Sequence, residues 1–157
     1  DPRIGMSQED HEKKVNSLLA LRDLQTATHK IIDNIVSLNS QLKELKAKLN
    51  MLDDNKWESL VVNVNNLKKD SQSFLDDILK RPPPSMNYRQ KPRLREEIRS
   101  LMQAIDNTTN PPTVHQNERI LSLKGEVKDA ENMMSKLKNG IESINNDTVQ
   151  LPTIAME

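Results

Sequence analysis

The stretch Ile31-Ile32-Asp33-Asn34-Ile35-Val36-Ser37-Leu38-Asn39-Ser40-Gln41-Leu42-Lys43-Glu44-Leu45-Lys46-Ala47-Lys48-Leu49 decides the fold. Its branched aliphatics Ile31, Ile35, Leu38, Leu42, Leu45 and Leu49, with Leu52 beyond, step by 4, 3, 4, 3, 4 and 3. A seven-residue repeat of this kind lays one apolar stripe along an α-helix that packs lengthwise against partners. Upstream, Val15, Leu18, Leu21 and Leu24 continue the apolar face with some drift, and Ser7 followed by Glu9 and Asp10 supplies an N-cap and acids for the positive helix end. The first helix is therefore expected over residues 8–51, ~65 Å long at 1.5 Å per residue.

Three further segments carry the same rhythm. Asp53-Asp54-Asn55 offers a turn, after which Trp57, Leu60, Val64, Leu67, Ser71, Phe74 and Ile78 step by 3 and 4, predicting a helix over 54–80. Pro82-Pro83-Pro84 ends it, because proline lacks the amide donor and restricts the residue before it. Pro92 suits the first turn of a third helix over 92–107, with Leu94, Ile98, Leu101, Met102 and Ile105 as its apolar face. Asn107 to Pro112 breaks the chain again, and Thr113 caps a fourth helix over 113–144 in which Ile120, Leu123, Val127, Ala130, Met134, Leu137, Ile141 and Ile144 repeat the pattern. Gly125 and Gly140 weaken that helix somewhat.

Composition points the same way. Of 157 residues, 29% are charged and only Trp57, Phe74 and Tyr88 are aromatic, too few for a β-sandwich or barrel. The fold class predicted is all-α, an elongated antiparallel four-helix bundle with one long first helix. Residues 1–6 would join a preceding domain, 7–145 form the bundle and 146–157 a tail. An extended coiled-coil dimer is the competing arrangement, but the proline-rich breaks favour folding back on itself.

The charges bound the function. There are 23 Lys+Arg against 23 Asp+Glu, so no global field draws nucleic acid or anionic lipid. The absence of cysteine excludes disulfides and thiolate metal sites, and no apolar run reaches the length of a membrane span. His11, His29 and His115 are scattered; His11-Glu12-Lys13-Lys14 begins like a zinc-protease helix but lacks the second histidine. Asp53-Asp54, Asp76-Asp77 and Glu96-Glu97 are adjacent carboxylates, which point apart on a helix instead of facing across a cleft. No phosphate loop or nucleophile elbow occurs. No cofactor and no catalysis are expected within this stretch.

Charge is nevertheless uneven. Residues 81–103 hold six cations, Arg81, Arg89, Lys91, Arg93, Arg95 and Arg99, against two anions, with Tyr88 in their midst. Read functionally, this is a basic patch with one stacking aromatic; read structurally, the cations answer Asp76, Asp77 and the fourth helix. The structural reading is preferred. Trp57 and Phe74 fall on the core repeat, whereas Tyr88 lies in the connector, where its ring can pack across the bundle while its hydroxyl bonds backbone. Asn107-Thr108-Thr109 and Asn146-Asp147-Thr148 match the glycosylation sequon, as expected by chance in an Asn-rich chain.

The order of elements resembles a known arrangement. Asp1-Pro2-Arg3, Ser7-Gln8-Glu9-Asp10, Leu18-Leu19-Ala20-Leu21-Arg22-Asp23, His29-Lys30-Ile31-Ile32, Asn87-Tyr88-Arg89 and Pro111-Pro112-Thr113 with Gln116 resemble the C-terminal helical region of bacterial sortilin-like, BNR (Asp-box) repeat proteins labelled glycosyl hydrolases. The likeness spans residues 1–143. It implies a β-propeller and a small β-sandwich ahead of the helices, joined through Asp-Pro-Arg, which would account for an opening without Met. It also implies an extracytoplasmic location: periplasmic, cell-surface or secreted. Glycan-handling residues of that family belong to the propeller, so no catalytic residue carries over. The basic Arg89-Gln90-Lys91 departs from the family's less basic pattern. The resulting expectation is a non-catalytic accessory module whose partners are neighbouring β-domains of the parent chain, with Arg3, Tyr88, Arg89, Arg93 and Arg95 as candidate contact residues. Oligomerisation is left open. The alternatives are a stand-alone spectrin-like tethering bundle, a glycan-active fragment, or nucleic-acid binding through 81–99.

Overall fold

A computed structural model of the chain describes residues 5–51, 57–82 and 90–147. Four helices follow one another: α1 (Gln8–Met51), α2 (Glu58–Phe74), α3 (Leu94–Asp106) and α4 (Val114–Asp147). Helix α2 does not stop at Phe74 but runs on through a π-helical turn, Leu75–Leu79. Among the described residues there is no strand. The fold is the all-α bundle with a long first helix that the heptads require.

Local chemistry fixes the helix starts. At α1 the Asp10 amide donates to Ser7 Oγ over 3.1 Å, as expected of an N-cap serine. At α4 the Gln116 amide donates to Thr113 Oγ1 and the Thr113 amide to Gln116 Oε1, a reciprocal capping box. Helix α3 begins two residues later than Pro92 suggested. Arg93 has extended backbone, and its amide donates to the Glu96 carboxylate over 3.1 Å, so the cap falls after the proline. Helix α4 also runs three residues past the expected end at 144. The expected tail of 146–157 therefore begins no earlier than 148, and its residues 148–157, like the expected start of the second helix at 54, lie outside the described residues.

The directions of the helices are set by their cross-links. Ser71 Oγ donates to Asn39 Oδ1 and Asn39 Nδ2 to Gln72 Oε1, joining the middle of α1 to the second half of α2. The Lys14 ammonium near the start of α1 donates to the Asp106 and Thr108 carbonyls at the end of α3, at 3.0 and 2.6 Å. Ser17 donates to Asn117, so α4 starts beside the start of α1. Helices α2 and α3 therefore run the same way, one after the other, antiparallel to α1, and α4 returns parallel to α1. Each of α2 and α3 packs on both α1 and α4. A slice across the bundle thus meets three helices, the middle one broken between α2 and α3.

The core is the heptad stripe. Leu21, Ile31, Ile35, Leu38, Leu42, Leu45 and Leu49 of α1 are buried, as are Leu60, Val64 and Phe74 of α2, Leu94, Ile98 and Ile105 of α3, and all eight residues of the α4 repeat. Two polar residues inside are satisfied. Thr28 Oγ1 donates to the Leu24 carbonyl, and Ser71 Oγ serves both Asn39 and the Lys68 carbonyl. Gly140 lets α4 approach α2 closely, for a Cβ there would stand 3.0 Å from Leu67 Cδ1.

Two positions of the expected apolar faces lie exposed. Ile78, the last member of the α2 repeat, is 46% exposed, while its neighbour Leu79 is fully buried. The π turn is the reason. Its Lys80 amide bonds the Leu75 carbonyl, five residues back, which inserts one residue and rotates the rest of the turn by about 100°. Val15 is likewise 48% exposed, so the drift at the start of α1 carries it off the core face.

Candidate groove at the break in the middle helix

Where α2 ends and α3 begins, the broken helix leaves a groove of about 530 Å³ against α4. Its floor is apolar: Phe74, Ile78, Leu94, Ala130 and Met133. A second lobe sharing Phe74, Ile78 and Met133 extends it along α4 as far as Gly140. Met133, 38% exposed, and Ile78 are the two large apolar side chains that this groove presents to solvent. Both have a local cause: the π turn turns Ile78 outward, and Met133 stands just before the buried Met134 on the edge of α4.

The rim is ionic and mostly paired within the chain. The Arg119 guanidinium bonds both Glu97 of α3 and Glu126 of α4, the latter at 2.5 Å. Those bonds, Glu126's the larger, hold the Arg119 pKa above its ordinary value. Arg93 donates through Nε to the Asp76 carbonyl over 3.0 Å and stands 3.9 Å from the Asp77 carboxylate. Arg81 donates its amide to Glu96 and its Nε to the Lys91 carbonyl, tying the two ends of the connector together.

The candidate contact residues fall in different places. Arg93 lines the groove and caps the end of the α2 segment. Arg95 turns to its neighbour Glu96 through Nε at 3.0 Å and does not line the groove. Arg3, Tyr88 and Arg89 lie outside the described residues. Of the described cations, Arg81, Arg93 and Arg95 answer Asp77, Glu96 and main-chain carbonyls, which agrees with the structural reading of the basic run for Asp77 but not for the fourth helix. Sequence reasoning missed Ile78, Met133 and Arg119 as groove residues. The one signal for Ile78 is the crowding of Leu75, Ile78 and Leu79 within one turn, more aliphatics than a single stripe needs.

Among the described residues no group of three His, Cys, Asp or Glu is placed to hold a metal ion, and no helix is long and apolar enough to cross a membrane. No family model, curated protein or solved structure matches the chain.

Proposed function

We propose that the chain is a non-catalytic helical accessory module, which packs against or spaces neighbouring β-domains of a larger bacterial, extracytoplasmic protein of the BNR-repeat, glycosyl-hydrolase-like type. One observation carries the packing role: an apolar groove with a charged rim, and with Ile78 and Met133 at its surface, opens where α2 ends and α3 begins. Exposed apolar patches bordered by charge are the usual mark of a contact surface. The parent context rests on the likeness of residues 1–143 to that family's helical region. The non-catalytic reading is supported by three of the four carboxylates that line the groove. Glu97 and Glu126 share one guanidinium and Asp77 faces another, whereas glycoside hydrolysis needs one carboxyl kept protonated by burial.

The test is the reading frame upstream of Asp1, followed by small-angle scattering of the bundle joined to whatever domain precedes it. Propeller repeats upstream and a fixed, compact envelope are expected. A freely tumbling bundle would remove the packing role, and turnover of aryl glycosides by the isolated chain would remove the non-catalytic one.

A second reading, a stand-alone tethering bundle, is favoured by the three-helix cross-section with α1 and α4 parallel, which places the start of α1 and the end of α4 at opposite ends of the bundle. Sedimentation separates the two: a concentration-dependent dimer with a buried seam supports the tether.

A further inference from the structure

We propose that the turn Leu75–Leu79 is a two-register switch, latched by Arg93, that selects whether Ile78 or Leu79 faces the groove. The sequence carries both registers. In an unbroken α-helix Ile78 continues the face of Leu60, Val64 and Ser71, and Leu79 stands about 100° away from it. The π turn reverses the two, with Leu79 fully buried and Ile78 46% exposed. Leucine and isoleucine have nearly the same volume, so exchanging one for the other in the core is a mild repacking. At Val64 and Ser71 the buried residue lacks such a substitute, since Val64 is flanked by Asn63 and Asn65 and Ser71 by Asp70 and Gln72.

The latch is a competition for one carbonyl. In an α-helix the Lys80 amide would return to the Asp76 carbonyl. Here it bonds the Leu75 carbonyl instead, and the Arg81 amide is engaged by Glu96. The Asp76 carbonyl is taken by Arg93 Nε, with the Asp77 carboxylate 3.9 Å from the same guanidinium. Arg93 sits at the cap of α3, whose Glu96 accepts from both the Arg93 and the Arg81 amides. The position of α3 and the register of α2 are thus coupled through one side chain. A ligand or domain that contacts Ile78 favours the π register; one whose carboxylate draws Arg93 away favours the α register. π turns inside α-helices are frequent at functional sites, which agrees with a groove at this one.

The experiment uses methyl-labelled protein and a soluble paramagnetic chelate, which relaxes exposed methyl groups. In the native chain the Ile78 methyls relax strongly and the Leu79 methyls are shielded. Arg93→Met removes the donor, and Leu79→Ala removes the competing side chain. In each, relaxation of the Ile78 methyls should fall at least threefold; in Arg93→Met the Leu79 methyls should become exposed. Deleting Asp77 leaves Leu79 in the core of a regular α-helix, so in that background Ile78 should stay exposed whether position 93 is arginine or methionine. The proposal is overturned if Ile78 remains exposed in both single variants, or if Arg93→Met shields it in the deletion background as well.

Discussion

Residues 31–49 and residues 74–79 lie on helices with the same three-four spacing, and they pack differently. Along the first, each aliphatic of the repeat is buried, and from Leu38 onward each is flanked by polar residues, so no other register offers an apolar face there. Leu42 stands between Gln41 and Lys43, Leu45 between Glu44 and Lys46. Along the second, Phe74, Leu75, Ile78 and Leu79 crowd six residues, and the register is chosen by what lies at the helix end, namely Arg93 and Glu96. A helix with one apolar stripe has its rotation fixed by burial; a helix with two adjacent candidates has it fixed by its polar termini.

The largest effect expected is at the unambiguous stripe. Leu42→Ala should cost about 2–5 kcal/mol in urea unfolding, since a fully buried leucine leaves a cavity that Gln41 and Lys43 cannot fill. Leu79→Ala should cost distinctly less than Leu42→Ala, because Ile78 can rotate in; equal losses would erase the contrast drawn between the two regions. Next comes Lys14→Met, which removes an ammonium from the Asp106 and Thr108 carbonyls at the end of α3. About 1 kcal/mol of stability should go, since a cation at a helix C-terminus in an exposed setting contributes on that scale. The loss should appear first as faster amide exchange in α3.

The two glycines of α4 sharpen the comparison further. Nothing lies within 4 Å of a Cβ placed on Gly125, so Gly125→Ala should raise stability by about 0.5–1 kcal/mol through helix propensity alone. At Gly140 the same substitution meets Leu67 at 3.0 Å, and the thermal midpoint should rise less or fall. The smallest effect belongs to Ile78→Ser. With Ile78 outside the core, stability should change by under about 0.5 kcal/mol in denaturant unfolding. A loss of several kcal/mol would place Ile78 in the core in solution and leave the groove without its floor.

Much of the architecture was legible because its signals are local or periodic. Ser7 and Thr113 cap the helices where their hydroxyls stand in the sequence, and the repeats of α1 and α4 name their own buried residues. The groove was far less legible. Arg93 appeared only as one cation in a run of six, and nothing in that run distinguishes it from Arg95, which bonds the adjacent Glu96. Its role depends on the Asp76 carbonyl, seventeen residues earlier in the chain. Arg119 is similar: its partners Glu97 and Glu126 lie on different helices, and only the return of α4 beside α3 brings them to one guanidinium.

Sequence alone determined that four amphipathic helices form, where two of them are capped and that the repeats over 31–49 and 120–144 are inside, because periodicity and capping depend on neighbours within a few positions. Tertiary structure decided that α2 and α3 share one edge of the bundle in tandem, that Leu79 and not Ile78 is buried, and that a groove opens between them. Those outcomes depend on helix direction and on hydrogen bonds between segments distant in the chain, which no local pattern encodes.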